Sequence, residues 1–318
     1  MKLLILSDFI PKVKIGEKLK KLIEKSDYIL FNLEGSPNFS YKRPCKDQIL
    51  PFWYDDLMLF LEKFGKEKFI ISLANNHILD NSERNFYILT NKFKENSIKC
   101  IGTKETPYII LEDHLFLSFV SWETGIKRKH KKYLNTIDFS YKKIYEIINE
   151  HKDLKIMLYP HWGMDLYPYI TKNHLPFIKN ILKNKNVFIY GHHPHLIIDD
   201  KVFDDSYRFI FSLGNTYIPH PNYYKKYGDY VRYSKCIYYK DTDIEVKTLY
   251  YNDENLEISD CDNNNFSYNK KIKVKSRQFI PKPTRSVILN VFIKIILYFI
   301  NWVTTSKVYI KIKIRNKK

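Results

Sequence analysis

Residues 187–195, VFIYGHHPH, place four apolar side chains directly before Gly191 and then set three imidazoles, His192, His193 and His195, around Pro194. A short apolar run rich in β-branched and aromatic residues has the length of a buried strand, and the Gly and Pro behind it end that strand in a tight turn. The same order recurs along the chain. LLIL at 3–6 stops at Ser7 and Asp8, and YILF at 28–31 stops at Asn32 with Glu34 two residues on. FIISL at 69–73 stops at Ala74, Asn75, Asn76 and His77, and KIMLY at 155–159 stops at Pro160, His161 and Trp162. LFLSFV at 115–120 and FIFSL at 209–213 complete the set. Helical spacing over 17–25, 55–64, 82–96, 140–151 and 173–184 fills the intervals, with Asp80 or Ser82 and Thr171 as candidate N-caps. Strand and helix in alternation imply an α/β domain with helices outside its sheets. Residues 231–251 change to an alternating, Tyr-rich pattern that predicts closing antiparallel strands.

Five of these strands deliver metal-ligand residue types at their carboxyl ends, which in an α/β sheet converge on one rim. The assembled set is two carboxylates, one or two amides and up to five imidazoles, with no thiolate. Such a shell suits Mn, Fe or Zn better than calcium or a structural zinc knot. More than four candidate ligands leave room for one or two divalent metals, with Asp8 and Glu34 as the available bridges. Gly191 and Gly214 read as turns after strands and Asn215 as a turn cap. Glu123 ends an apolar run and is expected either in the pocket wall or in a surface turn. His114, His130, His151 and His174 stand in polar contexts and are expected to face solvent, and His220 is expected in a loop.

Five strings in order also carry a family resemblance: Asn32-Leu33-Glu34-Gly35, Leu73-Ala74-Asn75-Asn76-His77 with Asp80, His161-Trp162-Gly163, Gly191-His192-His193-Pro194-His195, and Ser212-Leu213-Gly214-Asn215. Over about residues 1 to 240 the chain resembles the CapA family of capsule and poly-γ-glutamate synthesis proteins, which is similar in turn to the calcineurin-like metallophosphoesterases. The resemblance implies a four-layer αββα sandwich with a dinuclear metal site at its rim. It implies Asp8 in the first acidic motif, Glu34 as bridging ligand, Asn76 as amide ligand, His161 on one metal and His193 and His195 divided between two. His77 would assist the leaving group, and His192 would stand behind the ligands. Asn32, Asn75, Trp162, Asp165 and Asn215 are expected around them or against substrate. Three positions depart from the pattern: Ile10 stands where the phosphoesterases carry a metal-binding His, Ser7 replaces a Gly, and Asp165 stands where a Glu often follows His-Trp-Gly.

The chain has 318 residues and is basic, but unevenly so. Residues 270–318 hold 14 Lys or Arg and no Asp or Glu, which leaves 39 basic against 35 acidic groups in the rest. A near-neutral body with a cationic end points to an anionic polymer or anionic lipid surface met by that end, and makes nucleic acid the least favoured partner. Residues 1–252 are read as the catalytic-type domain, 253–285 as a polar to basic linker, and 286–318 as an apolar helix with a basic tail. That helix, VILNVFIKIILYFINWV at 287–303, suits a membrane surface or a docking site on a membrane synthase. Cys45, Cys100, Cys236 and Cys261 have neither metal-site nor disulfide spacing, so reduced thiols are expected. The opening MKLLILSDF is too short in its apolar part for a signal peptide, and a cytoplasmic protein, peripheral on the inner face of the membrane, is expected. The expected function is a metal-dependent hydrolase or transferase acting on an anionic cell-surface polymer or a phosphorylated precursor. Its rival is a non-catalytic accessory subunit of a membrane polymer synthase.

Overall fold

A computed structural model describes residues 1–39, 50–137, 140–199, 207–219, 229–241, 243–252 and 255–259. The apolar runs form strands of two sheets. In the larger sheet the neighbours run Lys14–Ile15, Asn255–Ile258, Asp243–Tyr251, Tyr233–Lys240, Lys2–Phe9, Tyr28–Leu33, Phe69–Ser72, Lys99–Ile101. Lys2–Phe9, Tyr28–Leu33, Phe69–Ser72 and Lys99–Ile101 are parallel, so their carboxyl ends share one edge. Tyr233–Lys240 and Asp243–Tyr251 close the other side as the antiparallel pair that the Tyr-rich alternation predicts. The second sheet runs Thr136–Ile137, His114–Ser121, Lys155–His161, Val187–Tyr190, Phe209–Ile210, all parallel, with Tyr108–Leu111 antiparallel against His114–Ser121.

A period of two assigns each strand's side chains to opposite faces. Leu3, Ile5, Leu30 and Ile70 from the larger sheet meet Phe116, Met157, Tyr159 and Tyr190 from the smaller one in a shared apolar cluster. The alternate residues Leu4, Leu6, Ile29, Phe31, Phe69 and Ile71 turn the other way, toward helices α1 (Glu17–Lys25), α2 (Tyr54–Phe64) and α3 (Glu83–Glu95). Leu115, Leu117, Ile156, Leu158, Val187 and Ile189 likewise pack with α4 (Lys142–Glu150) and α5 (Leu175–Ile181). Phe9 contacts Phe31 and Phe60 edge-on, with centroids 5.4 and 5.3 Å apart, which ties the strand that carries Asp8 to α2. Each such pair contributes about 0.5–1.5 kcal/mol beyond its buried area.

Several expectations need correction. Ser82 caps α3 by accepting from Asn85 N at 3.0 Å, whereas Asp80 turns to His77 instead. α5 starts after His174, and Thr171 donates its hydroxyl to Glu123. FIFSL is two strands, because the chain leaves the second sheet at Phe211: Phe209–Ile210 pairs with Val187–Tyr190, and Ser212–Leu213 pairs with Ile197–Ile198. His114, His130 and His174 are buried rather than solvent-facing. Within the expected linker 253–285, Asn255–Ile258 is a strand paired with Asp243–Tyr251 and Lys14–Ile15, so the larger sheet extends past 252. The apolar helix and basic tail at 286–318, His220, Cys45 and Cys261 lie outside the described residues. Cys100 is a free thiol. Among the described residues no helix is long and apolar enough to cross a membrane.

Candidate metal centre

The larger sheet aligns Asp8 with Asn32 on one side and with Asn215 on the other, which brings three chain segments to one point. From the second sheet, His161 ends Lys155–His161 and forms a β-bridge with His192. Gly191 makes this junction close: a Cβ there would overlap the Phe211 carbonyl oxygen and the Trp162 indole nitrogen. His193 and His195 then adopt φ of 97° and 58°, a left-handed backbone that side-chain-bearing residues rarely take. Strain of this kind persists where the surroundings fix it and is concentrated at functional sites.

Asp8 is fully buried and has polar neighbours on four sides. Its Oδ1 takes the Asn32 amide at 2.8 Å and faces His192 Nδ1 at 2.9 Å, while Oδ2 takes the His193 backbone N–H at 3.1 Å and lies 3.6 Å from His195 Nδ1. The same Asn32 amide donates to Glu34 Oε2 at 2.7 Å, so one side chain holds both carboxylates. His161 Nδ1 lies 2.8 Å from His192 Nδ1 and 3.8 Å from Glu34 Oε2. Its Nε2 meets Asn76 Oδ1 at 2.8 Å. Since an amide oxygen only accepts, the His161 proton sits on Nε2 and its Nδ1 lone pair faces inward.

His77 is held through Nδ1 by Asp80 Oδ2 at 2.6 Å, and its Nε2 lies 3.3 Å from the Asn76 amide nitrogen. Asn75 donates to Leu33 O and Asn32 Oδ1 and accepts the His77 N–H, which locks that turn onto the Asn32 strand. Asn215 is more than a turn cap: its Oδ1 meets His195 Nδ1 at 2.6 Å while its amide is anchored on Val231 O at 3.0 Å. Trp162 is wholly buried, donating to Phe211 O at 2.8 Å, so it supports the turn from beneath and does not face substrate. Asp165 is exposed and contributes to the negative field at Glu34.

Burial would push the Asp8 carboxyl up, but the charge and hydrogen bond of His192, with His195 and Asn32, bring it down to about 2. Glu34 goes the other way: burial and the Asp8 charge hold its carboxyl well above the usual range. Burial and the neighbouring imidazoles drive His161 and His193 well below the usual histidine range, which keeps both rings neutral. Neutral imidazoles beside an ionised carboxylate are the protonation states that divalent metals require.

Asp8, His161 and His192 each offer a ligand atom within 4.8 Å of the others. His192, implied by the resemblance to stand behind the ligands, thus joins this candidate group, with His193 and His195, implied as ligands, beside it. Among the described residues, Glu34 Oε1, His192 Nε2 and His193 Nδ1 are buried without any hydrogen-bond partner. Each such orphan costs about 1–3 kcal/mol, and all three belong to residues in or beside the Asp8, His161 and His192 group, which fits a site completed by a ligand. Sequence reasoning passed over Tyr159, whose hydroxyl donates to Leu6 O at 2.5 Å, accepts from Asn32 N at 3.1 Å, and whose ring lies 4.4 Å from that of His192. Its only signal was a hydroxyl in an otherwise apolar strand directed between the sheets.

The chain matches the family model described as bacterial capsule synthesis protein PGA_cap over residues 12–219. No curated protein matches it.

Proposed function

The chain belongs to the bacterial capsule synthesis protein family, and on that premise we propose that it is a metal-dependent hydrolase or transferase. Its substrate would be a phosphate ester, amide or anhydride bond of an anionic cell-surface polymer, poly-γ-glutamate or polysaccharide, or of a phosphorylated precursor. The observation that carries this reading is the gathering of Asp8, His161 and His192 with Glu34 and His193 beside them, three of whose polar atoms are buried without a partner. Asp8, His161 and His192 would hold one divalent ion, and Glu34, Asn76, His193 and His195 would complete a dinuclear shell. Mn, Zn or Fe bound there would supply Lewis acidity and a water of lowered pKa.

The chain's own groups do the rest. Asn32 keeps the two carboxylates at a fixed separation, and Asn215 sets the ring of His195. Asp80 takes the Nδ1–H of His77 and fixes the ring's direction, so that Nε2, unprotonated in that tautomer, would take a proton from the attacking water and pass it to the departing oxygen or nitrogen. The three apolar clusters, one between the sheets and one under each helical layer, support the four-layer αββα arrangement of the metallophosphoesterases. One observation favours the second reading, an accessory subunit without turnover. Ile10, where the phosphoesterases have a metal-binding His, is packed in the core.

Dialysis against Mn or Zn followed by elemental analysis, with assays on phosphodiester and γ-glutamyl substrates, tests the proposal. One or two ions per chain and turnover lost on removing them are expected. Protein that stays metal-free under every condition defeats both the centre and the activity.

A further inference from the structure

The near-neutral charge of the body hides one local concentration. Residues 127–132, KRKHKK, carry five cations in six positions. They form a 3₁₀ turn, Arg128–Lys132, with all five cationic side chains exposed and His130 buried beneath them. The turn is firmly held. His130 N bonds to Lys127 O at 2.9 Å, and Tyr133 N and Leu134 N return to His130 O at 3.0 and 3.1 Å. Tyr133 donates its hydroxyl to Glu83 in the first turn of α3 at 2.5 Å, and Lys131 lies over the Trp122 ring at 3.5 Å.

Few acids answer these charges. Lys132 pairs with Glu83 at 3.1 Å and Lys127 reaches Asp80 at 4.0 Å, while Arg128 and Lys129 have no ion pair among the described residues. Ordering five like charges on one turn is unfavourable by itself, and an anion bound across them would offset that repulsion. The location gives the turn a use. Asp80 is the residue that holds His77, and His77 leads through Asn76 to His161. Through Lys127 and Asp80 the turn therefore reaches the side chain of the proposed proton donor.

We infer that the 127–132 turn is a polyanion-binding surface that lays a polymer with repeating carboxylate or phosphate groups beside His77, so that one linkage reaches the metal centre. The inference rests on the proposed function for the role of that centre, but the binding itself does not. A single small anion would need one or two of these cations. Five in a row fit a chain of anions, held by displaced counterions rather than by a shaped pocket.

The test uses the full chain with its basic tail. Affinities for a poly-L-glutamate and for an inorganic polyphosphate of defined length are measured against salt for wild type, for Arg128→Glu/Lys129→Glu and for Lys18→Glu/Lys21→Glu. The last pair lies on the exposed face of α1 and makes the same change in net charge. The turn variant is expected to bind at least about tenfold more weakly with a shallower salt dependence, and the control to change by less than about threefold. The polymer that loses more identifies carboxylate or phosphate as the recognised group. Equal losses in the two variants, or none in the turn variant, overturn the proposal by assigning binding to net charge or to the tail. Metal content is read from the same preparations: a metal-free chain that passes the polymer test removes the catalytic reading alone, whereas a metal-loaded chain that fails it removes the surface alone.

Discussion

Two clusters of histidine and carboxylate, one buried and one partly so, lie on either side of Trp162, and they satisfy their polar atoms in opposite ways. Around Glu123, one carboxylate oxygen takes the Gly163 N–H and the His174 ring, the other takes the Thr171 hydroxyl at 3.2 Å, and the second His174 nitrogen meets the Tyr141 hydroxyl. Every polar atom of that group is matched from within the protein. Around Asp8 the side chains are more deeply buried, yet Glu34 Oε1, His192 Nε2 and His193 Nδ1 have no partner. A closed network specifies a core, and an open one with clustered orphans specifies a ligand. His130 also leaves both ring nitrogens without hydrogen bonds, and His114 has only the neighbouring Asp113 carboxylate, 2.5 Å from its Nδ1, which implies a cost rather than a site.

This contrast can be broken experimentally. The largest effect is expected from Asp8→Asn, which removes a negative charge from the open cluster. Metal affinity should fall at least about hundredfold, and the rise in Tm of about 5–10 °C expected for wild type at saturating Mn or Zn should vanish. An unchanged metal-dependent Tm would assign the ion to some other place. Glu123→Ala should do the reverse. It strands the Gly163 N–H and the His174 ring, so urea titration should show a loss of about 3 kcal/mol while metal content per folded chain stays the same. If both variants changed metal content alike, the two clusters would be one functional unit. The smallest effect concerns these two rings. Burial holds His114 and His130 below the usual histidine range, so the folded state favours their neutral forms. That contribution is fully present above about pH 6.5 and is lost as pH falls below it. The urea midpoint of wild type should therefore drop between pH 7.5 and 5, and His114→Gln/His130→Gln should flatten the drop.

Much of the α/β architecture was legible because burial on both faces makes the parallel strands read as unbroken apolar runs, and because each run ends in a change of chemistry. What failed did so locally. The order of His192, His193 and His195 could not be counted off by strand alternation, since two of the three have positive φ and redirect their side chains. Asp80 and Ser82 read alike as helix caps; the fold gives the cap to Ser82 and the Asp80 carboxylate to His77. Histidines 114, 130 and 174 sit among charged neighbours in sequence, yet Phe116, Tyr239 and Trp162 pack against two of them, contacts that only tertiary structure supplies. The basic turn was concealed by the opposite error, averaging: a body balanced over 269 residues gave no hint that five cations share one bend.

The path of 209–217 has a mechanical consequence. Within nine residues the chain pairs first with Val187–Tyr190 in one sheet and last with Lys2–Phe9 in the other, leaving Asn215 opposite Asp8. It is a stitch drawn through both halves of the molecule and knotted where the chemistry lies. Prising the halves apart would pull that knot first, so losing the grip on His195 would be the earliest sign of failure, before either half had begun to melt.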